Sequence, residues 1–386
     1  MRILFFDNIV DNPVTRGIMT SDRYLSGLLE LGIDYAQRQI EYAHIPDKHI
    51  NHFIGMIEKD IEETNPDIVF FNTYFPVAEL AEAIFPTKVI VFLDHIPDPI
   101  AFQISKSPNF YIAPICETFA SYYGHIGFPR SHILPFSYAA HQDKPMPIRS
   151  EEFDYDVAWI GTDNSGTFLN ELLKYFSLED IKQIVTRIGD GTGADLFIRT
   201  ESVIRDALAH RFATIPADFL PRLCFLFFDY IHHLKVRHQV FEVMKHCMKK
   251  GYRFLLAGYG WNRYKDTAGV EQISPELVPD IYNRSKVTFQ RNNVTNSTSR
   301  PYAAIMSGCL PLMFKGEYEG ALNSLSTFYA QGIPPLYSDN NKLLDMIDHY
   351  VNDIPNRNIL LHELQQETLS HATYYNRFDA LLRALT

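Results

Sequence analysis

The sequence predicts an α/β protein of two doubly wound, Rossmann-like domains that face a cleft, with a helical insertion in the second. Three observations carry this. Short, almost continuously apolar runs recur between helical stretches, the pattern of parallel strands covered on both faces. A polar segment with two prolines, HQDKPMPIRSEE at 141–152, interrupts the alternation and reads as an interdomain linker. The alternation then resumes, and 386 residues suit two domains of ordinary size.

In the first domain, 1–140, the run RILFF at 2–6 is a strand. A helix over 20–31 ends at Gly32, a residue suited to the left-handed turn past a helix end. DIVFFN at 67–72 and KVIVFL at 88–93 are buried strands. Strands at 111–116 and 132–136, separated by a helix at 118–125, complete the series. In such a sheet ligands sit at the carboxyl ends of the strands.

The second domain, 153–370, opens with a strand at 156–160 and Gly161. A helical insertion, about 165–250, is broken at 189–193 and near Pro216, and it delays the next strand to 253–257. Its apolar residues (Leu220, Leu223, Phe225, Leu226, Phe227, Phe228) are too many for a solvated linker and must bury within the chain or in a dimer interface. The richest stretch is DIYNRSKVTFQRNNVTNSTSRPYAAIMSGCLPLMFKGEYE at 280–319. It holds a short helix, a strand at 286–290 and a loop rich in Asn, Ser and Thr. A helix then opens at Ser299, Arg300 and Pro301, Gly308 stops it, and a strand follows at 310–314. Helices at 342–352, 355–368 and 373–385 end the chain, the last within a closing segment, 371–386.

An apolar fraction of 46% with 13% aromatic residues is ample for packed cores and argues against disorder. A net charge of −11 argues against a nucleic-acid backbone as main partner, while leaving room for a local basic patch. Cys116, Cys224, Cys247 and Cys309 are scattered without a C-x-x-C and read as reduced core residues of a cytosolic protein. The opening RILFF reads as a buried strand rather than a signal peptide, so the N-x-S/T triplets at Asn283, Asn293 and Asn296 are accidental. No apolar run reaches membrane-spanning length. The nearest, 219–234, is broken by Arg222, Asp229, His232 and His233 and reads as a buried or partner-facing helix.

Chemistry concentrates at the strand ends. Ser297, Thr298, Ser299 and Arg300 stand at a helix start, where unpaired N–H groups and the helix dipole favour an anion; a Ser or Thr there is also an ordinary cap. Gly161, Thr162, Asp163 and Asn164 follow the strand DVAWI, and Gly258, Tyr259, Gly260 and Trp261 follow RFLLA. Glycines there let a nucleotide approach the backbone, and Tyr259 or Trp261 can pack on a base or ribose. Each loop alone is turn chemistry; their succession along one sheet makes a site. In the first domain Asp94, His95 and Asp98 lie in a proline-stiffened loop after KVIVFL. Two carboxylates and an imidazole can supply a general base or hold a hydroxyl, or a carboxylate there caps a turn. The 7–17 loop, with Asp11 and Arg16, belongs to the same edge.

Three tempting motifs are set aside. Gly189, Asp190, Gly191, Thr192 and Gly193 lie between helices without a following Lys-Ser/Thr, so they read as a flexible connection. Asp154, Tyr155 and Asp156 look like a D-x-D metal pair, but they precede a strand and read as solvated carboxylates. His232, His233 and His238 lack an H-E-x-x-H arrangement, and no metal site is assigned.

FLDHIPDP in the first half, GYGW followed by ELVPDIYNRSKVTF, and SRPYAAIMSGCLPLM together resemble the spore-maturation CgeB/YkvP-like group of GT-B glycosyltransferases. KLLDMIDHYVND and the helices after it, which in that family close the second domain, extend the likeness. The resemblance implies metal-independent transfer of a sugar from a nucleotide-sugar donor, with no further cofactor. The donor would lie on the second domain, at Gly161, Thr162, Gly258, Tyr259, Gly260 and the Ser297–Arg300 turn. Arg300 and its helix would stabilise the leaving diphosphate, and the insertion would stand clear of it. The acceptor, a glycan, protein or lipid-linked saccharide, would meet Asp94, His95 and Asp98. One departure matters: the family reads R-x-F-E-A, and Ala303 stands where its Glu is thought to contact the donor. Either Glu317 or Glu319 takes over, or the donor differs, or the chain is a non-catalytic nucleotide-sugar-binding scaffold. A nucleotide-sugar epimerase is the enzyme alternative. The location expected is cytoplasmic, peripheral at a membrane if the acceptor is lipid-linked, with the insertion as a homodimer face.

Overall fold

A computed structural model of the protein describes residues 1–8, 22–40, 50–72, 87–93, 109–114, 120–121, 123–124, 127–134, 136, 139–140, 144–189, 193–209, 219–264, 270, 273–291, 299–314 and 335–385. Two compact units emerge. One joins Met1–His141 to Thr373–Thr386; the other is Gln142–Ala372.

The first unit is built on a five-stranded parallel sheet, β1 (Arg2–Asn8), β2 (Asp34–Ile40), β3 (Ile68–Asn72), β4 (Lys88–Leu93) and β5 (Phe110–Pro114), in the order β2-β1-β3-β4-β5. The apolar runs are central: Ile3 to Phe6, Val69 to Phe71 and Val89 to Phe92 are all buried. Phe5 stacks on Phe70 at 4.9 Å and Phe6 on Phe71 at 5.0 Å, neighbours across β1 and β3. β2 escapes the sequence reading because its sequence, DYAQRQI, is that of a half-solvated edge strand with no apolar run. Helices α1 (Asp22–Glu30) and α2 (Ile50–Thr64) flank the sheet strands in sequence, and Gly32 adopts the left-handed turn at φ 66°. The strand expected at 132–136 is instead a 3-10 turn, Arg130–His132, with a single bridge from Ile133 to Ile112. A proline at 135 has no N–H for a continued ladder.

The second unit holds β6 (Tyr155–Ile160), β7 (Phe254–Ala257), β8 (Ser285–Gln290), β9 (Leu310–Phe314) and the short β10 (Leu336–Tyr337), all parallel, in the order β10-β9-β8-β6-β7. Between β6 and β7 run α3 (Ser165–Leu172), α4 (Leu178–Ile188), α5 (Gly193–Leu208) and the 32-residue α6 (Phe219–Lys250). Ser177 and Asp180 form a capping box that starts α4, and Gly189 ends it at φ 66°. Residues 190–192 of the glycine-rich stretch and 210–218 around Pro216 lie outside the described residues. The insertion's apolar side chains are used within the unit: Leu220, Leu223, Phe227 and Phe228 are buried, and Phe227 meets Phe176 edge-on at 5.5 Å. The apolar argument for a homodimer through this segment therefore loses its residues. Asp154 and Asp156, set aside as solvated, are ion-paired instead. Asp154 pairs with Arg284, and Asp156 is buried against Lys286 Nζ at 2.7 Å and the Arg253 N–H at 2.8 Å.

Helices α7 (Val278–Asn283), α8 (Ser299–Met306), α9 (Asn340–Asn352) and α10 (Ile354–His371) complete this unit. α8 is fixed from its far end. The fully buried Arg357 of α10 donates to the carbonyls of Gly308 and Lys286, each at 2.6 Å, and its guanidinium lies 5.0 Å from the Phe153 ring. Gln365 adds a bond to the Ile305 carbonyl at 2.9 Å. A buried cation held by carbonyls is costly to lose, so α8 is rigidly seated. The last helix, α11 (Tyr374–Leu385), does not close the second unit as the resemblance implies. Its Phe378 packs on Phe70 and Phe136 of the first, at 5.8 and 5.1 Å. Among the described residues no helix is long and apolar enough to cross a membrane.

Candidate anion site at the switch point of the second sheet

From β6 the chain crosses to β7 on one side; from β8 it crosses to β9 on the other. The carboxyl ends of β6 and β8 therefore bound the crevice where open parallel sheets receive ligands. Gly161 leaves β6 there, and α8 returns there with Arg300 in its first turn.

The glycines are required by close approach. A Cβ on Gly161 would lie 2.8 Å from Arg300 Nη1 and 2.6 Å from the Trp159 ring. Gly258 and Gly260 have φ of 129° and 88°, and a Cβ on either would enter the carbonyl oxygens of Gly161 and Asp163 respectively. The two loops are thus laced: Gly161 N–H donates to Ala257 O and Asp163 N–H to Tyr259 O, both at 2.9 Å. Beneath them Trp159 and Trp261 meet edge to face at 5.0 Å, and Trp261 Nε1 donates to Gly161 O at 3.0 Å. Tyr259 is left 48% exposed on the rim, and the Thr162 side chain is half-buried.

Asp163 is buried and fully engaged. Its carboxylate accepts from the Ser165 N–H at 2.9 Å and from the Tyr264 hydroxyl, while Arg263 donates to its carbonyl. Arg237 in turn donates to the Tyr264 hydroxyl at 2.8 Å. This carboxylate shapes the loop; it is not free for a ligand.

Arg300 differs. It keeps an exposed surface, and among the described residues no carboxylate pairs with it. Its guanidinium lies 5.9 Å from the Trp159 ring centre. Protein still packs densely enough around it that desolvation lowers its pKa below the usual arginine value. A cation in that setting, at a helix N-terminus, is poised for an anion.

The third wall comes from α6. His233 stacks on Phe168 at 5.5 Å, and its Nδ1 accepts the Asn164 N–H at 3.4 Å. His232 packs against His233 with ring centres 5.3 Å apart. Burial, with the charges of Arg300 and Arg263 assisting against Asp163, lowers the His233 pKa to about 4. His232 is held well below its usual value by burial, then by His233, Arg300, Arg291 and Lys235. Both rings are neutral at pH 7. α6, part of the insertion expected to stand clear of the diphosphate, reaches the loop after β6 through His233.

Of the residues marked by the sequence, Gly161, Thr162, Gly258, Tyr259, Gly260 and Arg300 come together here, with the Ser299 backbone opening α8. Asp94, His95 and Asp98, Ser297 and Thr298, Glu317 and Glu319, and Asp11 and Arg16 lie outside the described residues. Sequence reasoning placed Asp163 in the first loop of the site and missed Trp159, His232, His233, Arg263 and Tyr264 as parts of it. A signal existed for the histidines: polar residues interrupting an otherwise apolar helix mark a face turned to polar surroundings. Ala303 packs with Ile160 and Val278 against Tyr282, Ala304 and Cys309, an apolar contact.

Residues 237–383 match the family described as glycosyl transferase-like. No curated protein matches the chain. Three solved structures share its fold across its whole length. A glycosyltransferase from Rickettsia africae ESF-5 superposes with a TM-score of 0.51 at 10% identity, covering 100% of this chain and 98% of that one. An alpha-glucosyltransferase in complex with UDP and a 13-mer DNA gives 0.50 at 12% identity, covering 100% of both. The trehalose-6-phosphate protein from E. coli bound with UDP-2-fluoro glucose gives 0.51 at 8% identity, covering 100% and 99%. The chain therefore has the two-sheet α/β fold of the GT-B glycosyltransferases, and its residues 237–383 are similar to the glycosyl transferase-like family.

Proposed function

We propose that this protein is a glycosyltransferase that binds a nucleotide-sugar donor at the switch point of its second unit, with Arg300 on the diphosphate. The observation that carries this is Arg300 itself: exposed, without a carboxylate partner among the described residues, over Trp159 and against Gly161 at a helix start. The family match over 237–383 supports the transferase reading, and two structures of the same fold are described with UDP or a UDP-sugar. Catalysis is positioning plus stabilisation of the departing diphosphate by Arg300 and the α8 N–H groups, without a metal. Tyr259 on the rim offers its ring to the base or ribose. The order and spacing of the sequence motifs favour the CgeB/YkvP-like group within this fold. With Ala303 in an apolar contact, Glu317 or Glu319 is assigned the sugar hydroxyls. The buried, reduced Cys224, Cys247 and Cys309 suit a cytoplasmic enzyme, at the membrane surface if its acceptor is lipid-linked.

We assign acceptor-side chemistry to the loop after β4, with Asp94 as base and His95 and Asp98 beside it. Asp94→Asn is expected to lower turnover by about two to four orders of magnitude with donor affinity unchanged; unaltered turnover in the folded variant would reduce Asp94 to a turn residue. The function is tested by thermal shift against UDP-glucose, UDP-N-acetylglucosamine and GDP-mannose. A ligand at one hundred times its Kd adds about 2.7 kcal/mol. Transfer from the stabilising donor to a glycan, protein or lipid acceptor supports the proposal. Isomerisation of free donor would make the protein an epimerase, and binding without turnover across acceptors would make it a scaffold.

A further inference from the structure

The α6 histidine pair has no part in the reading above, and its surroundings are unusual. Around the two rings stand Arg300 from α8, Arg291 after β8, Arg263 after β7 and Lys235 on α6 itself, with Asp163 opposing them at His233 and Asp229 one helical turn earlier on α6. Asp163 is already committed to Ser165, Tyr264 and Arg263. Burial is the main reason both rings stay unprotonated, and at His232 the neighbouring cations add to it. The two rings are not equivalent. His233 is fixed by Phe168 and by the backbone of the loop after β6. His232 is half-buried and makes no hydrogen bond among the described residues. The Gly161–Asn164 loop meets Arg300 at one end and His233 at the other, and His232 packs against His233, so the pair lies at the loop that borders Arg300.

We propose that His232 is a second, proton-linked ligand of the donor diphosphate: docking of a nucleoside-diphosphate sugar draws one proton from solvent onto the His232 ring, and the resulting imidazolium stands with Arg300 against the phosphate charge. This rests on the donor reading given above. No bond of the donor changes in this step; the proton moves from water to a ring nitrogen. The diphosphate of a nucleotide sugar brings two negative charges into a field that was positive. One charge about 4 Å away, at an effective dielectric constant of about 20, raises an imidazole's proton affinity about a thousandfold. A gain of that size moves the titration of His232 upward, toward neutral pH. His233, tied to the loop, acts as the positioning residue behind it.

Calorimetric titration separates this from a packing role. The full chain is titrated with whichever of UDP-glucose, UDP-N-acetylglucosamine and GDP-mannose stabilises it most, at pH 7 in Pipes and in Tris at equal ionic strength. The phosphates of these donors do not titrate near neutrality, so a heat difference between buffers counts protons on the protein. Uptake approaching one proton per donor is expected, with affinity weakening up to about tenfold from pH 7 to pH 8. His232→Gln should abolish both the uptake and the pH dependence; His233→Gln should keep the uptake. Buffer-independent heat in the wild-type protein, or uptake that survives in His232→Gln, overturns the inference and leaves the donor site standing. Failure of all three donors to bind overturns the donor reading itself.

Discussion

Held between the Phe168 ring and the backbone of the loop after β6, His233 makes the site's packing measurable by pH. The unfolded chain takes up the proton near pH 6.5, whereas the folded ring does so only at about 4. The unfolded state thus binds more protons in that window. Stability fully present above pH 6.5 is lost as pH falls toward 4, and burial is the main cause. His232, shifted in the same direction, adds to the same window. His233→Gln keeps a hydrogen-bonding side chain but cannot titrate, so its urea-melt stability should fall less steeply between pH 6.5 and 4.5 than the wild type's. Parallel slopes for the two proteins would place the acid sensitivity elsewhere. This residue also shows what local pattern conceals. Gly161, Gly258, Gly260 and Arg300 were legible because a glycine after an apolar run, or an arginine at a helix start, carries meaning within a few residues. His232, His233 and Trp159 matter through partners about 70 to 140 positions away in the chain, and no local periodicity encodes such a contact.

Among the elements, legibility followed apolar composition: even β7, a half-buried edge strand, was legible from its run RFLLA. β3, β4, β6, β8 and β9 are short apolar runs, and their observed bounds lie within a residue or so of the sequence reading. β2 sits at a sheet edge, where polar residues face water and the apolar run disappears, and β10, Leu336–Tyr337, is too short to leave a pattern. α6 reads in the sequence as part of an insertion because it delays the next strand; in the fold its 32 residues are the last helix of the crossover from β6 to β7. Contact between elements sets a further requirement at Gly27. A Cβ there would lie 2.5 Å from the Tyr374 carbonyl carbon and 2.6 Å from the Tyr375 nitrogen, so α1 meets the start of α11 backbone to backbone. Gly27→Ala improves helix propensity by up to about 1 kcal/mol, yet the overpacking it creates costs about 1–3 kcal/mol. Net destabilisation in a denaturant melt is expected, together with faster hydrogen exchange in α11. A more stable alanine variant would show that α11 docks more loosely than the structure has it.

At the scale of the whole chain, two sheets of alternating topology were predictable because each repeats the same strand-helix grammar on either side of a proline-bearing linker. The destination of the final helix was not. α11 follows α10 after a short turn, yet its Phe378 and Leu381 complete the core of the first unit. The aromatic cluster of Phe70, Phe136 and Phe378 and the close approach of Gly27 to Tyr374 reveal where it belongs. The same long-range economy defines the second unit, where Arg357 seats α8 from behind and Gly161 admits Arg300 in front. The central claim is that this seating presents Arg300 to a donor diphosphate. Turnover and titration of the stabilising nucleotide sugar with Arg300→Ala and Arg300→Lys, with matched thermal melts, test it most directly. Loss of a charge-assisted, bidentate contact should remove about 2–4 kcal/mol of transition-state stabilisation in the alanine protein. Lysine, which keeps the charge and loses the fork, should restore only part of it, with both melts near wild type. An alanine protein that melts lower yet binds and turns over the nucleotide sugar normally would contradict the account and leave Arg300 a structural residue.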